Sequence, residues 1–301
     1  MTAVEHRPSL LLEHLEARLA TATDRHLSVA RDWYPHEYIP WSEGVDFGDV
    51  PYDEARSRLA PAVRAAVQLN LLTEDNLPAY HRELNRAFSD DEPWRVWIDR
   101  WTAEEGRHAI VLRDYLVVTR CVDPVVLEQE RMLAVQTGYR ATEKDMLRTM
   151  AYVSFQELAT RISHRNTGRL SGDEGLEKLL TRIATDENLH MVFYRDLVAA
   201  ALEVDPAAML TAIAVELENF SMPGAGGPQF RRRAAAIAKA GIYDNKVHRE
   251  DVIEPLLRYW RILELTDLDA VAEQARERIV GVCAELDRRI ARSAELAAAR
   301  A

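Results

Sequence analysis

Residues 100–116 read RWTAEEGRHAIVLRDYL and residues 183–197 read IATDENLHMVFYRDL. Set against each other with an offset of 82 residues, Glu104, Glu105, His108, Arg113 and Asp114 of the first stretch fall on Asp186, Glu187, His190, Arg195 and Asp196 of the second. Apolar residues recur in both at the three- and four-residue spacing of a helix. Positions i and i+3 share a helix face, so Glu105 points the same way as His108, and Glu187 the same way as His190. With 28 Glu and 9 His in 301 residues, chance supplies about one Glu-x-x-His. Two on related helices are modest evidence by count alone, since such pairs also arise as ordinary ion pairs.

The surroundings strengthen the reading. Glu74 lies 31 residues before Glu105, and Glu157 lies 30 before Glu187. Glu74 sits among Leu71, Leu72 and Leu77, and Glu157 in MAYVSFQELATRI beside Phe155 and Leu158. A carboxylate among such neighbours is costly to bury unless a cation or metal partners it. One Glu from each of two helices and Glu-x-x-His from each of two others is what a di-iron or di-manganese bundle requires. Four carboxylates and two neutral imidazoles balance two divalent ions. The mixed oxygen and nitrogen donor set suits iron or manganese better than a thiolate-seeking metal. The six expected ligands are therefore Glu74, Glu105, His108, Glu157, Glu187 and His190.

Outward from these helices the chain keeps the helical period. Leu10, Leu11, Leu15 and Leu19 mark a first helix; Val63, Val67, Leu71 and Leu72 mark a second, which the run from Leu77 to Phe88 extends or follows. Further helices are expected near 91–119, 125–138, 143–167, 173–202, 206–220, 228–240, 249–264 and 267–298. Trp33 to Pro51 is Pro- and Gly-rich loop, and 122–124, 168–172, 205–206 and 222–228 carry breaker residues. No period-two alternation stands between hairpin signals, so no sheet is expected. The expected fold is all-α: a ferritin-like helical bundle forming one domain over 1–301, with a four-helix metal core over about 60–200 and flanking helices at both ends.

Composition closes off other classes. Only two Cys exclude a disulfide framework, and an apolar content of 48% is ordinary for a globular chain. The longest unbroken apolar run, Leu197 to Leu202, is far short of a membrane span. The first residues carry Glu5, Glu13 and Glu16 with no cleavage signature, so the cytoplasm is the expected compartment. A net charge of −11 argues against nucleic acid as partner. Arg231, Arg232 and Arg233, with Lys239 nearby, form the densest basic cluster, a candidate docking surface for an acidic protein or a plain solvated helix face.

The strings WYPHEYIPW, LLTEDNLPAYHREL, RWTAEEGRHAIVLRDYLVVTR, YVSFQELATRISHRNTG and IATDENLHMVFYRDL, spread over Trp33 to Leu197, resemble the soluble acyl-acyl-carrier-protein desaturases of plastids and actinobacteria. Weaker similarity continues through FSMPG and FRRRAAAIAKAGIYD. The resemblance implies that the six residues named above hold two iron ions, with manganese an alternative occupant. It places Trp33 and Asp186 beside His108 on an electron route and Thr160 near the oxygen-binding face. It further implies acyl carrier protein as the bearer of the substrate, a ferredoxin-type electron donor, and a homodimer. Two departures stand out: the segment between Trp41 and Tyr52 is short for the family, and Glu83, Arg86 and Ala87 occupy positions where family members line the substrate channel.

Other residues carry two readings each. Thr160, one turn from Glu157, is placed either to donate to an oxygen at the metal or to bond its own i−4 carbonyl. Trp33 is an electron relay or simple core, and Trp94, Trp97 and Trp101 are core or dimer packing. The expected reaction is O2-dependent removal of two vicinal hydrogens from an acyl chain. Hydroxylation or nitrogen oxidation by the same metal pair is the alternative, and iron storage is a third reading that the long loop at 33–51 fits poorly.

Overall fold

Side-chain caps divide the chain at its turn residues. In the computed structural model, which describes residues 3–88, 92–138, 144–222 and 228–299, the helices are α1 (Ala3–Val29), α2 (Pro61–Glu74), α3 (Leu77–Ala87), α4 (Glu92–Val118), α5 (Pro124–Thr137), α6 (Met146–Ser171), α7 (Glu174–Val204), α8 (Pro206–Glu218), α9 (Pro228–Lys239), α10 (Asn245–Val247), α11 (Glu254–Tyr259) and α12 (Ala270–Ala298). Asp123, Asp145, Asp173 and Asp205 accept from main-chain N–H groups in the first turns of α5, α6, α7 and α8. Each satisfies donors that a helix start leaves bare. Gly172, at φ 66°, takes the left-handed conformation that stops α6 one residue before the Asp173 cap. No strand occurs among the described residues, in keeping with the all-α, ferritin-like expectation.

The break after α2 matters most for the site. Pro78 would drive its ring into the carbonyl of Glu74 if the helix ran on, so α2 stops at Glu74 and α3 starts at Leu77. Asp75 pairs with Arg131 through two contacts of 2.6 and 2.8 Å, and the Asn76 amide donates to the Leu72 carbonyl at 2.9 Å. The corner that carries Glu74 is thereby fixed.

Helices α2, α4, α6 and α7 form the central bundle, and α6 lies along α7 for most of its length. Gly168 permits that approach, because a Cβ there would meet the Glu177 Cα at 3.3 Å. Helix α1 packs on α7, α9 on α2, and α12 on α8. Two apolar clusters fill the bundle. One takes Trp94, Trp97 and Trp101 of α4, Phe155 of α6 and Tyr194 and Leu197 of α7. The other takes Val111, Leu112 and Tyr115 of α4 with Leu176, Leu180 and Ile183 of α7. Between them, α4 contributes 104–108 and α7 contributes 186–190. The carboxylates and imidazoles therefore form a polar layer between two halves of the core.

Three sequence expectations need correction. The run 249–264 is not one helix. After α10 the chain forms a π-helical turn over His248–Ile253, α11, and a 3-10 turn over Ile262–Glu264. Pro255 has no N–H to continue the α register, Glu254 N–H reaches back to the Arg249 carbonyl, and Arg261 at φ 53° ends the run. The last helix begins at Ala270 rather than 267, because Asp267 is at φ 58° and Asp269 caps Val271 and Ala272. The loop from Trp33 to Pro51 contains two 3-10 turns, Pro35–Tyr38 and Trp41–Glu43. The break expected at 222–228 falls almost wholly on residues 223–227, outside the described residues.

Candidate metal centre

All six expected ligands are buried and converge on one place. Glu74 ends α2, Glu105 and His108 come from α4, Glu157 from α6, and Glu187 and His190 from α7. Ligand-type atoms of Glu74, Glu105, His108 and Glu187 all lie within 4.8 Å of one another, as do those of Glu105, Glu157, Glu187 and His190. The two groups share Glu105 and Glu187. The arrangement is therefore two adjoining groups that share a pair of carboxylates, each completed by one further Glu and one His. His108 Nδ1 stands 3.2 Å from Glu187 and 3.4 Å from Glu105; His190 Nδ1 stands 2.8 Å from Glu105 and 3.6 Å from Glu157.

These contacts do not satisfy the groups that make them. Glu105 Oε1, Glu157 Oε2, Glu187 Oε1, His108 Nδ1 and His190 Nδ1 are buried and have no hydrogen-bond partner among the described residues. Five orphaned polar atoms facing one interior point are expensive, and metal ligation is the arrangement that satisfies them together. The protein-only electrostatics is correspondingly frustrated. Burial, with the charge of Glu187 next, pushes the carboxyls of Glu105 and Glu157 up. Burial opposes the Glu74 anion as well, but the imidazoles of His108 and His164 pull its carboxyl well below the ordinary range. Burial disfavours a charge on His108 and His190, yet the surrounding carboxylates raise both well above the usual imidazole value.

Behind each imidazole is a carboxylate. Asp186 Oδ2 lies 3.4 Å from His108 Nε2 and accepts from Trp33 Nε1 at 2.7 Å, while Arg182 holds its other oxygen. Burial raises Asp186, but His108 outweighs it and the carboxyl sits at about 2. Trp33 is buried and lies parallel to His108 at 6.3 Å, so it is core and at the same time one link from the cluster. Thr160 sits 2.6 Å from Glu187 Oε2 and also 3.1 Å from its own i−4 carbonyl, the second of its two expected partners.

Four residues escaped the sequence reading. Glu104 does for His190 what Asp186 does for His108, with Oε2 at 2.9 Å from His190 Nε2 and from His26 Nε2. The 82-residue repeat already put Glu104 on Asp186, so that signal was available. Trp101 Nε1 donates to Glu157 Oε1 at 3.1 Å, and His164 Nε2 is 3.5 Å from Glu74 Oε1. His164 follows Glu157 by two helical turns on one face, a spacing the sequence displays; His26 gave no such sign.

A cavity of about 600 Å³ adjoins Glu74 and Glu105, with Leu84, Trp101 and Val153 on its apolar side and Glu83, Arg86 and Gln156 on its polar side. Ala87 packs against the core instead. A smaller cavity of about 100 Å³ touches Glu74 and Thr160 and runs toward Met222, Phe230 and Tyr243. In the basic cluster, Arg231, Arg232 and Lys239 are exposed on α9. Arg233 is not: it turns inward and pairs with Glu130 of α5 at 2.7 and 2.9 Å, so its charge is spent within the protein.

The sequence pattern of the family described as fatty acid desaturase matches residues 9–301. The chain belongs to that family. Among its desaturase relatives is the Mycobacterium tuberculosis protein named "Putative acyl-acyl-carrier-protein desaturase DesA1", 43% identical over 288 residues, 92% of this chain and 85% of that one. The chloroplastic stearoyl-acyl-carrier-protein 9-desaturase 5 of Arabidopsis thaliana is 31% identical over 86% of this chain and 70% of its own length. The solved structure titled "X-ray structure of putative acyl-ACP desaturase DesA2 from Mycobacterium tuberculosis H37Rv" superposes with a TM-score of 0.72 at 28% identity, covering 88% of this chain and 99% of that one. No helix among the described residues is long and apolar enough to cross a membrane.

Proposed function

We propose that this protein is an O2-dependent di-iron desaturase that introduces a cis double bond into a saturated fatty acyl chain carried on acyl carrier protein. The observation that carries the reading is the pair of overlapping Glu/His groups at the head of a cavity, in a chain of the desaturase family. Glu74, Glu105, His108, Glu157, Glu187 and His190 would hold the two ions, with Glu105 and Glu187 common to both groups of donors. When bound, such an iron pair supplies the O2 activation and hydrogen abstraction that side chains cannot.

Balanced, the reaction takes a saturated –CH2–CH2– unit, O2, two electrons and two protons to –CH=CH– and two waters. The protein's part is geometric. Asp186 and Glu104 fix the tautomer of His108 and His190 so that each Nδ1 is left bare toward the glutamates, where it would ligate a metal ion. Trp101 orients Glu157, and Thr160 orients Glu187. Trp33 and Asp186, linked to His108, lie on the route by which a ferredoxin-type donor supplies electrons. The cavities on either side of Glu74 would hold the acyl chain away from water. Arg231, Arg232 and Lys239 are the docking surface for the acidic carrier or donor. The chain works as a single domain in a cytoplasmic homodimer. The names of the relatives favour desaturation over hydroxylation or nitrogen oxidation.

Mass spectrometry of the acyl chain tests this. Iron-loaded protein, given a long-chain saturated acyl carrier, a ferredoxin reducing system and O2, is expected to remove two hydrogens, and fragmentation then locates the double bond. Gain of an oxygen would instead establish a hydroxylase. An unchanged chain on iron-replete protein would exclude this substrate class.

A further inference from the structure

The two supporting carboxylates are built alike and crosswise. Asp186, from the second repeat, backs His108 of the first; Glu104, from the first, backs His190 of the second. Each carries an Arg one turn earlier, Arg100 for Glu104 and Arg182 for Asp186, and these two also stand 82 residues apart. The Arg takes one carboxylate oxygen and leaves the other for the imidazole. That other oxygen has a further close partner in both halves, beside a longer 3.5 Å contact of Arg107 with Asp186 Oδ2. For Asp186 it is the Trp33 indole at 2.7 Å; for Glu104 it is His26 Nε2 at 2.9 Å. Both come from the N-terminal segment, seven residues apart, and neither belongs to the repeat.

We infer that His26 is the positioning residue for His190, acting through Glu104 as Trp33 acts on His108 through Asp186. His26 is almost fully buried on α1, with its ring edge-on to Trp97 at 5.0 Å and nearly parallel to that of His190 at 5.8 Å. Its N–H, donated to Glu104 Oε2, fixes the carboxylate plane. A fixed anionic acceptor requires the proton of His190 on Nε2 and leaves Nδ1 bare toward Glu105 and Glu157. Without His26 that oxygen keeps, among the described residues, only His190, and the carboxylate can turn about its Arg100 contact. The consequence is local. His26 serves the site completed by Glu157 and His190, and Trp33 the site completed by Glu74 and His108. Helix α1 thus closes the centre from outside the four ligand-bearing helices.

The inference rests on the metal-binding reading above, and Co(II) as probe keeps the two separable. Metal-free protein is titrated with Co(II), following visible absorption and competition with a chelator. Wild type is expected to bind two ions. H26F is expected to weaken one site about ten- to hundredfold with an altered spectrum, and it should be the same site that H190A removes. W33F should weaken the other. H26Q, which keeps an N–H donor aimed at Glu104, is expected to restore affinity and spectrum close to wild type. Unchanged sites in H26F, or H26Q as impaired as H26F, would overturn the role of His26. Wild type that binds no Co(II) would overturn the metal reading itself.

Discussion

Thr160 has one hydroxyl proton and three oxygens within reach: the Gln156 carbonyl at 3.1 Å, the Glu157 carbonyl at 2.9 Å and Glu187 Oε2 at 2.6 Å. The carboxylate is the closest and the only charged acceptor, so it takes the proton. A hydrogen bond to a charged group contributes about 1.5–3 kcal/mol, which in a rate is about a ten- to hundredfold factor. T160V keeps the shape and deletes the donor. It is expected to retain two metal ions and lose turnover by that factor, with T160S close to wild type. Steady-state rates at matched iron content check it. A valine variant at the wild-type rate would mean that the hydroxyl only bonds its own helix. At this scale the six ligand-type residues were legible because helical spacing and apolar neighbours are local properties of a sequence. His26 and Trp101 were not, since their partners lie 78 and 56 residues away. Only the fold brings them near.

Elements were legible where a local device decides them. The Asp caps of α5 to α8 can be read from short windows, whereas the apolar pattern left open whether the run from Leu77 extends α2 or follows it, and Pro78 decides for a break. The segment from α10 to α11 resisted, because its apolar pattern suits a continuous helix while Pro255 shifts the hydrogen bonding into a π turn. That turn carries His248, whose ring lies against Phe220 at 4.6 Å and whose Nδ1 meets the Tyr243 hydroxyl at 2.8 Å. Burial holds its pKa down at about 4. Above pH 6.5 the ring is neutral folded or unfolded. As pH falls from 6.5 toward 4, the unfolded chain takes up a proton that the folded one refuses, so stability is lost over that window. The loss attributable to this one residue approaches about 3 kcal/mol. Denaturant midpoints of wild type and H248Q between pH 7 and pH 4 measure it. The difference in stability between the two should move against wild type by that amount as the pH falls. A constant difference would mean that His248 titrates normally in the folded protein.

The whole molecule carries a net charge of −11, so an acidic carrier protein would meet general repulsion and needs a local exception. Composition pointed to the triple arginine on α9, but it could not distinguish exposed charges from spent ones. Nor could it say that Glu83 and Arg86 would share a cavity wall with Leu84 and Trp101. Those facts depend on which helix faces which. With Arg233 engaged by Glu130, the exposed charge that the proposed docking surface offers reduces to Arg231, Arg232 and Lys239. Exposed charges act mainly on encounter, through a field that physiological salt screens within about 8 Å. Reversing both exposed arginines in R231E/R232E is therefore expected to raise KM for the acyl carrier about tenfold at low ionic strength and to leave kcat nearly unchanged. The difference should shrink as salt is added. R233E is a different experiment, because it sets two half-buried carboxylates against each other and unseats α9 from α5. Kinetics across a salt series separate the cases. A double variant with wild-type KM at low salt would remove α9 from the docking surface, and a kcat that falls with it would mean the helix shapes the cavity lined by Phe230 and Ala234 rather than the encounter.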